Sequence, residues 1–362
     1  AAKENIGITG RNAKNYARLA SNCNDATSQV ELDINNVRAR LLGAGDFWWD
    51  LNAAKYVVPK VYPPDVEVSS SFAGALWIGG IDAGGQLKIA AQTYRQSGND
   101  FWPGPLSDGG TTNDAVCNAY DRHWKVNRTL IDSFRLENPY DGVSNFSYDN
   151  KYRVIWEWPA LGNENARGKS ATDFLIINRP QAPFVDLNFN GVYEPQVGEY
   201  PDIDGDQAIW WVYNDKGNIH TETGGDAIGI EIQATAFGFS TNDEINDMTF
   251  YRYEVINFAT TPLDSVFFGY WVDPDLGFYN DDWVGCDTSI SLGIVYNGDA
   301  VDGPDIASYG ANPPLFGTDF FQGPIKYIYD GTSIVDSVRL GMSAFLFYNN
   351  DFSVIGNPEV AA

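Results

Sequence analysis

Oxygen-bearing side chains recur at every second position in residues 186–194 of this sequence. A loop that coils around calcium offers side-chain oxygens at its first, third and fifth positions and a main-chain carbonyl at its seventh, with glycine at the sharp turn. Gly191 stands at that turn. The pattern therefore predicts a Ca²⁺ site whose ligands include Asp186, Asn188, Asn190, Val192 and Glu194.

This loop departs from the EF-hand, the helix–loop–helix calcium motif. Its twelfth position is Val197 instead of Glu, and no amphipathic helices are predicted on either side. The ligand shell must therefore be completed from elsewhere, and the nearest acidic candidates are Asp202, Asp204 and Asp206. The two acidic segments could bind two ions or share one ion. The alternative to a metal site is an Asx-rich turn without metal.

A second acidic cluster follows a predicted strand further along the chain. It contains Asp273, Asp275, Asp281, Asp282 and Asp287, which fall within 15 residues. Like charges at this density repel one another without a counter-ion. The cluster predicts a second metal site, although a solvent-facing loop would also tolerate the charges.

The charge of the whole chain supports this interpretation. The net charge is −25 at pH 7, and residues 181–305 contain 17 Asp and 6 Glu against only Lys216 and Arg252. Self-repulsion opposes compaction, and bound cations relieve it, whereas a solvated acidic surface is the alternative. The same charge excludes nucleic acid as a partner, and no apolar run is long enough for direct membrane insertion.

Residues typical of catalytic sites are scarce. The chain has only His123 and His220 and no nucleophile motif, and we expect His123 to be a packed, hydrogen-bonded side chain. A glycoside hydrolase needs only two carboxylates, so composition leaves that class open. Its best local candidate is Glu157, but strand alternation over residues 152–158 predicts an outward Glu157 beside inward tryptophans.

Aromatic pairs offer a second route to carbohydrate. Trp48–Trp49 and Trp210–Trp211 have the flat apolar faces on which sugars stack, although tryptophans buried in a β-sandwich give the same sequence pattern.

The elements that must position these residues are mostly short strands bounded by Gly, Pro, Asn and Asp. The fold class predicted is all-β, with antiparallel β-sandwich-type domains, long acidic calcium-binding loops and a few short helices. Strands are predicted at residues 30–42, 152–158, 228–240, 248–258, 264–272, 289–296 and 338–348, with a hairpin over 70–94 that turns at 82–85. Short helices are predicted at 11–20 and within 113–135.

These elements suggest three parts. We predict an N-terminal β-rich domain at 1–180, an acidic calcium-binding connecting segment at 181–222 and a C-terminal β-sandwich domain at 223–362. The three cysteines lack zinc spacing. Two alternatives remain: a disulfide between Cys23 and Cys117 with Cys286 unpaired, or buried free thiols. The first residues do not form a signal peptide, so the protein is cytosolic or its signal has been removed.

Several segments together resemble a known group of proteins. They are INNVRARLLGAGDFWWDL (34–51), FAGALWIGGIDAGGQLKIAAQTYRQSGNDFWPGPL (72–106), DLNFNGVYEPQVGEYPDIDGDQAIWWVYND (186–215), VDPDLGFYNDDWVGCD (272–287), VYNGD (295–299) and NPPLFGTDFFQGP (312–324). They are similar to the N-terminal region of large, mostly uncharacterised proteins of Bacteroidota that the type IX secretion system exports.

The resemblance implies an extracellular or outer-membrane-surface location after signal removal, and it brings no catalytic residues. Such proteins end in a sorting domain, so it also implies a processed or partial product, and it implies O-glycosylation at Ser265 and Ser337. We therefore expect a non-enzymatic secreted or cell-surface structural or adhesion protein stabilised by calcium, with a subunit of an extracellular assembly as one form of this function. Its expected partners are other surface proteins or copies of itself, with glycans as a further class. The alternative is a carbohydrate-binding module or a glycoside hydrolase.

Overall fold

Antiparallel strands dominate the structure, which confirms the all-β prediction. The computed structural model describes residues 22–95, 98–304, 306–349 and 356–358, so the helix predicted at 11–20 lies outside the described residues. Sheet 1 has the strand order β1–β2–β3–β5–β14, with β4 beside β2 and β6 beside β5. Its strands are β1 (Gln29–Leu32), β2 (Arg38–Leu42), β3 (Asp46–Phe47), β4 (Tyr56–Val57), β5 (Ala73–Asp82), β6 (Leu87–Ala90) and β14 (Leu263–Asp273).

Sheet 2 faces sheet 1 and has the order β13–β12–β11–β7, with β8 also beside β11. Its strands are β7 (Trp102–Pro103), β8 (Trp124–Asn127), β11 (Gln207–Asn214), β12 (Ile230–Gly238) and β13 (Phe250–Asn257). The four smaller units are β9 (Phe184–Val185) with β10 (Tyr200–Pro201), β15 (Asp282–Asp287) with β16 (Leu292–Asn297) and β19 (Phe316–Asp319), β17 (Val301–Asp302) with β18 (Gly310–Ala311), and β20 (Ile325–Asp330) with β21 (Ser333–Arg339).

The central strand β11 is buried on both faces, because it separates two hydrophobic cores. Ile209, Trp211 and Tyr213 point into the core between the two sheets. Their neighbours Trp210 and Val212 point the other way, into a core formed with the helices and the long loops. Side chains of a strand alternate between its faces, so a strand with cores on both sides has a continuous apolar sequence.

A layer of short helices covers the outer face of sheet 2. It consists of α1 (Asp114–Tyr120), α2 (Arg128–Glu137) and α3 (Arg153–Trp156), and the 3-10 turns of the chain lie at Asn150–Tyr152, Pro195–Val197, Glu244–Asp247 and Tyr279–Asp281. In the described part of the chain the longest helix has 10 residues, and none combines the length and apolar character that a membrane span needs.

The strand predicted at 152–158 is wrong, because this segment is helical. The Asp149 side chain caps the turn by accepting the N–H of Lys151. Tyr152, Ile155 and Trp156 are buried together at a spacing of three and four residues, which suits one face of a helix.

Two further strand predictions have wrong bounds, whereas the others agree with observed strands. Residues 30–42 form the hairpin β1–β2, because Asn35 turns the chain by accepting the N–H of Val37. In place of a strand at 338–348, β21 ends at Arg339. The hairpin turn at 82–85 is confirmed, and Asp82 stabilises it by accepting the N–H groups of Gly84 and Gln86.

The large sheets combine strands from all three predicted parts of the chain. Strand β14 pairs with β5 in sheet 1, and β11 pairs with β7, β8 and β12 in sheet 2. The boundaries near 181 and 222 stay a prediction, and both sheets extend across them.

The structure decides between the two alternatives for the cysteines. Cys23 and Cys117 form a disulfide that joins the start of the described chain to α1, and both residues are buried beside Trp102. Cys286 is a free thiol on the surface.

We expect loss of this disulfide to destabilise the protein. The bond links residues 94 positions apart. Closing a loop of that length in the unfolded chain is worth about 4 kcal/mol on the chain-entropy model. Cys23→Ser combined with Cys117→Ser should therefore lower the denaturant midpoint, measured by Trp fluorescence, whereas Cys286→Ser should leave it unchanged. Equal midpoints for all three proteins would contradict a stabilising role.

Candidate metal centres

The loop at 186–199 is closed at its base by two short strands. Val185 pairs with Tyr200 and Phe184 pairs with Pro201, so β9 and β10 bring the two ends of the loop together. Asp186 is the first residue after β9, and Glu199 is the last residue before β10. The acidic side chains at the two ends are therefore held next to each other.

Asp186 organises the first half of the loop. Its Oδ1 accepts the N–H of Phe189 at 2.7 Å and its Oδ2 accepts the N–H of Gly191 at 2.7 Å. Gly191 has φ +78°, a backbone conformation that favours glycine. Burial tends to raise the pKa of Asp186, but these hydrogen bonds outweigh it and hold the pKa below its usual value. Asp186 is therefore ionised at neutral pH.

Both asparagines of the motif turn toward one carboxyl group. The Nδ2 groups of Asn188 and Asn190 donate to Glu194 Oε2 at 2.9 and 2.6 Å. Their Oδ1 atoms accept the N–H groups of Asn190 and Val192, respectively. Rotation of each amide by half a turn exchanges its nitrogen and oxygen in place. A cation near Glu194 would then meet oxygens from both side chains, at the cost of the two hydrogen bonds that their Oδ1 atoms now accept.

Glu199 completes the loop, and the sequence prediction missed it. Its side chain is fully buried, and its two oxygens accept the N–H groups of Leu187 and Glu194 at 2.9 and 2.8 Å. Burial raises the pKa of Glu199, and the charge of neighbouring Asp186 raises it further. Counted from Asp186, Glu199 is at the fourteenth position, two residues after the position at which an EF-hand has its Glu. The signal that could have identified it is the Tyr–Pro pair that follows it and forms β10.

The residues of this loop suit a hard cation such as calcium. Within one hairpin, the carboxyl group of Glu194 contacts two amide side chains, and the carboxyl groups of Asp186 and Glu199 interact with each other; oxygen donors of this kind are what calcium prefers. When bound, calcium would supply positive charge to the carboxyl groups of Asp186, Glu194 and Glu199. The carbonyl of Val192 remains a predicted ligand.

The downstream acidic residues make separate contacts. Asp202 is exposed, Asp204 forms an ion pair with Arg252 at 2.6 Å, and Asp206 accepts the N–H of Ser240 at 2.8 Å. Asp204 and Asp206 thus connect the start of β11 to residues that flank β12 and β13. Their role as ligands of the predicted calcium ion stays a prediction. The acidic residue that lies next to Asp186 is Glu199, because the pairing of β9 with β10 brings the two ends of the loop together.

The second acidic cluster brings four of its five predicted residues together, and these four are only partly exposed. Asp273 accepts the hydroxyl of Tyr94 at 2.6 Å. Burial and the nearby charges of Asp273 and Asp282 raise the pKa of Asp275 to about 7. Burial also raises the pKa of Asp282 to about 6, assisted by Asp281 and Asp302 and opposed by the N–H of Leu276. These carboxyl groups therefore repel one another in the folded chain.

Two oxygens of this cluster are buried without a hydrogen-bond donor among the described residues. Asp281 and Asp282 each use one oxygen to accept a backbone N–H, from Gly303 and Leu276 respectively, and their Oδ1 atoms have no such partner. A buried carboxylate oxygen without a donor is costly, and a cation would compensate for it. The residues present therefore fit a second hard-cation site.

Asp302 is a member of this cluster that the sequence prediction missed. It is fully buried and accepts the N–H groups of Phe278 and Tyr309. By contrast, Asp287 lies apart at the exposed end of β15 and accepts both the N–H and the hydroxyl of Ser289, which lower its pKa. Asp302 follows a Gly–Asp turn and a two-residue strand, so no spacing rule linked it to Asp275.

Carboxyl groups alone do not build either centre. Within residues 22–95, 98–304, 306–349 and 356–358, no group of three or more His, Cys, Asp and Glu side chains is arranged to hold a metal ion. A cation at either place must therefore also take oxygens from asparagine side chains or main-chain carbonyls.

Family models, curated proteins and solved structures were compared with this chain. None of them matches it.

The residues considered for catalysis have structural roles. His123 is partly buried, bonds to the hydroxyl of Ser28 at 2.7 Å and packs against Trp211, and removal of its ring from solvent lowers its pKa to about 4. The outward Glu157 predicted from strand alternation is wrong. This side chain is buried and forms ion pairs with Arg122 and Arg153, both at 2.9 Å.

The paired tryptophans cannot stack on sugars in this conformation, because Trp48, Trp49, Trp210 and Trp211 are all buried. Trp283 on β15 is exposed, with 62% of its surface accessible. It lies directly opposite Tyr296 of β16, which is also exposed.

The raised pKa values of Asp275 and Asp282 predict a pH dependence in chelator. A carboxyl group whose pKa is higher in the folded than in the unfolded chain binds more protons when folded, so its contribution to stability falls as pH rises. This pH window runs from the ordinary aspartate pKa of 3.8 to about 7. In EDTA, Asp275→Asn should therefore raise the melting temperature at pH 8 by a few degrees and change it little at pH 4.

Asp287→Asn provides the matched control, since it removes a carboxyl group of the same segment whose pKa is lowered. Measured by circular dichroism, the difference in melting temperature between Asp287→Asn and the unsubstituted protein should stay constant between pH 5 and pH 8, because Asp287 is ionised throughout this range. If Asp275→Asn and the unsubstituted protein had the same melting temperature at every pH in this range, Asp275 would not be a buried carboxyl group that its neighbours repel.

Proposed function

We propose that this chain is a non-enzymatic structural or adhesion protein of the bacterial cell exterior, whose loops are stabilised by bound calcium. The observation that carries the proposal is the loop at 186–199. There, Glu194 accepts both asparagine amides of the motif and a buried Glu199 joins its two ends. Two carboxyl groups of this loop, Asp186 and Glu199, are close enough for one to raise the pKa of the other.

Calcium at this loop would act on folding. The unfolded chain has no preformed site, so the free energy of binding becomes free energy of folding. The loop is well placed for this, because Tyr193 within it is buried and donates its hydroxyl to the carbonyl of Ile155 in α3 at 2.8 Å. The cluster of Asp275, Asp281 and Asp282 would gain in the same way from a second ion.

The Cys23–Cys117 disulfide supports a location outside the cell. Disulfides persist in oxidising compartments and are rare in the bacterial cytosol. The resemblance to exported proteins of Bacteroidota supports the same location, at the outer-membrane surface or in the medium. Partners of such a protein would be other surface proteins or further copies of this chain.

The structural roles of the catalytic candidates support a non-enzymatic function. The two ion pairs of Glu157 and the buried contacts of His123 position the helices of the outer layer and the edge of sheet 2. A group that titrates near neutral pH and reaches substrate is what general acid–base chemistry needs. Neither side chain meets both conditions, since Glu157 is held by two guanidinium groups and the pKa of His123 is lowered to about 4.

One observation favours the alternative of a carbohydrate-binding module. Trp283 and Tyr296 lie opposite each other on adjacent strands with exposed rings, and such pairs offer a flat surface for sugar rings.

We expect calcium to raise the melting temperature and EDTA to lower it by many degrees, because binding is linked to folding. Glu199→Gln keeps the shape of the side chain but removes its charge. It should therefore raise, by tenfold or more, the calcium concentration that gives the half-maximal rise in melting temperature. Asp141→Ala is the matched control, because Asp141 also accepts backbone N–H groups in an acidic turn but lies outside the loop. Melting curves that do not respond to calcium would refute the calcium proposal.

The carbohydrate alternative makes a separate prediction. If Trp283 and Tyr296 form a sugar platform, binding to a glycan array should be detectable in calcium and should fall at least tenfold in Trp283→Ala. Trp283 is exposed, so this substitution should leave the melting temperature within about a degree. An array without hits for the folded protein would remove this alternative and leave the structural function.

A further inference from the structure

We infer that the outer edge of β20 is a docking site for a second copy of this chain, which pairs with it strand to strand. The inference rests on the proposed structural function, for which it selects a further copy of this chain as the partner. It does not depend on a cation in either acidic loop.

The hairpin of β20 and β21 is uncovered on both faces. The two strands pair only with each other in the described part of the chain, and every one of their residues is exposed. The exposed residues include Ile325, Tyr327, Ile328, Tyr329, Ile334, Val335 and Val338, with 42–60% of each surface accessible. A two-stranded hairpin is at best marginally stable in water, and three or more strands are needed for stability. Among the described residues, the hairpin therefore has no third strand to stabilise it.

The two edges of this hairpin are not equivalent. A register shift places Ile328 opposite Asp336 and Tyr329 opposite Ile334, which leaves Val335 as an extra residue on β21. A β-bulge twists an edge and disturbs its pattern of donors and acceptors, and proteins use bulges to protect edges from pairing. Strand β20 is continuous over its six residues, so it is the edge that can accept a further strand.

The charges of β20 favour an identical strand as the partner. If two copies of β20 pair antiparallel with Ile328 opposite itself, Lys326 of each copy lies opposite Asp330 of the other. The arrangement is symmetric, because one contact generates the other through a twofold axis. Opposite charges directly across an antiparallel pair stabilise it, whereas like charges destabilise it. A single strand thus carries both halves of a complementary pair.

The remaining side chains suit the same register. Tyr327 would lie opposite Tyr329 of the other copy, and aromatic pairs of this kind also stabilise neighbouring strands.

The local charge of the hairpin removes the main obstacle to self-association. The chain as a whole has a net charge of −25, but the hairpin balances Lys326 and Arg339 against Asp330 and Asp336. Two hairpins can therefore approach without the repulsion that acidic surfaces would cause.

The test is a charge exchange across the proposed contact, read as molar mass by sedimentation velocity over a concentration series in calcium. Lys326→Asp would place two acidic side chains opposite each other twice, and Asp330→Lys would do the same with two lysines. Each variant alone should therefore be monomeric where the unsubstituted chain dimerises. An equimolar mixture of the two variants should regain the dimer, because each contact then joins opposite charges.

Two controls separate this result from misfolding. The double variant with both exchanges restores every pair within one chain type and should dimerise again, and Asp336→Lys changes the charge equally on the bulged strand and should have no effect. A monomeric unsubstituted chain, or variants whose dimerisation does not follow this pattern, would overturn the inference. The calcium dependence of the melting temperature is measured separately, so either proposal can fail without the other.

Cross-linking tests the register itself. Ile328→Cys in a Cys286→Ser background places the new thiol opposite its own copy, at the separation of about 5 Å between directly opposite residues of an antiparallel pair. Oxidation should yield a covalent dimer. Tyr329→Cys in the same background faces Tyr327 of the partner and should cross-link at least tenfold more slowly. Equal rates for the two variants would reject the register.

Discussion

Buried carboxylates that accept backbone N–H groups hold the loops of this protein in place. Asp215 is fully buried at the end of β11, and it accepts the N–H groups of residues 228–230 at the start of β12. Asp121 does the same for residues 27–28, beside the disulfide-linked Cys23. A backbone N–H that is shielded from water needs an acceptor, and a carboxylate supplies two oxygens that can each take several. The sheets depend on these contacts because strand ends that are far apart in the sequence meet there.

The same interaction separates acidic residues that need a cation from those that do not. Burial raises the pKa of Asp215, but three backbone donors and nearby His220 favour its charged form. Among the residues that the structure describes, Asp281 and Asp282 each have one oxygen with a backbone donor and one without. Glu194 accepts the side-chain amides of Asn188, Asn190 and Gln196, and half a turn of either asparagine would present its oxygen instead. The chain thus satisfies most of its buried carboxylates internally and leaves a few that a hard cation would satisfy.

Local spacing predicted the parts of the structure that depend on neighbours in the sequence. The oxygen pattern at 186–194 and the turn at 82–85 are set by adjacent residues, and both were predictable. Glu199 and Asp302 were missed, because short strand pairings bring them to their clusters and no motif fixes their distance. The segment at 152–158 was predicted as a strand because its tryptophans alternate. The Asp149 cap and the helical spacing of three buried residues determined its conformation.

The position of the calcium loop explains why a bound ion would matter beyond the surface. Val192 packs against Gly162, where a Cβ would lie 2.4 Å from Val192 Cγ1, so the loop and the neighbouring segment fit only with glycine at that position. The next residue, Tyr193, lies in the core that supports β11, and its hydroxyl donates to the carbonyl of Ile155. If the carboxylates of the loop repelled one another apart, Tyr193 would leave the core and Val192 would lose its contact with Gly162. A cation that holds Asp186 and Glu199 together would therefore stabilise the helical layer and sheet 2, because the loop and the core share the same residues.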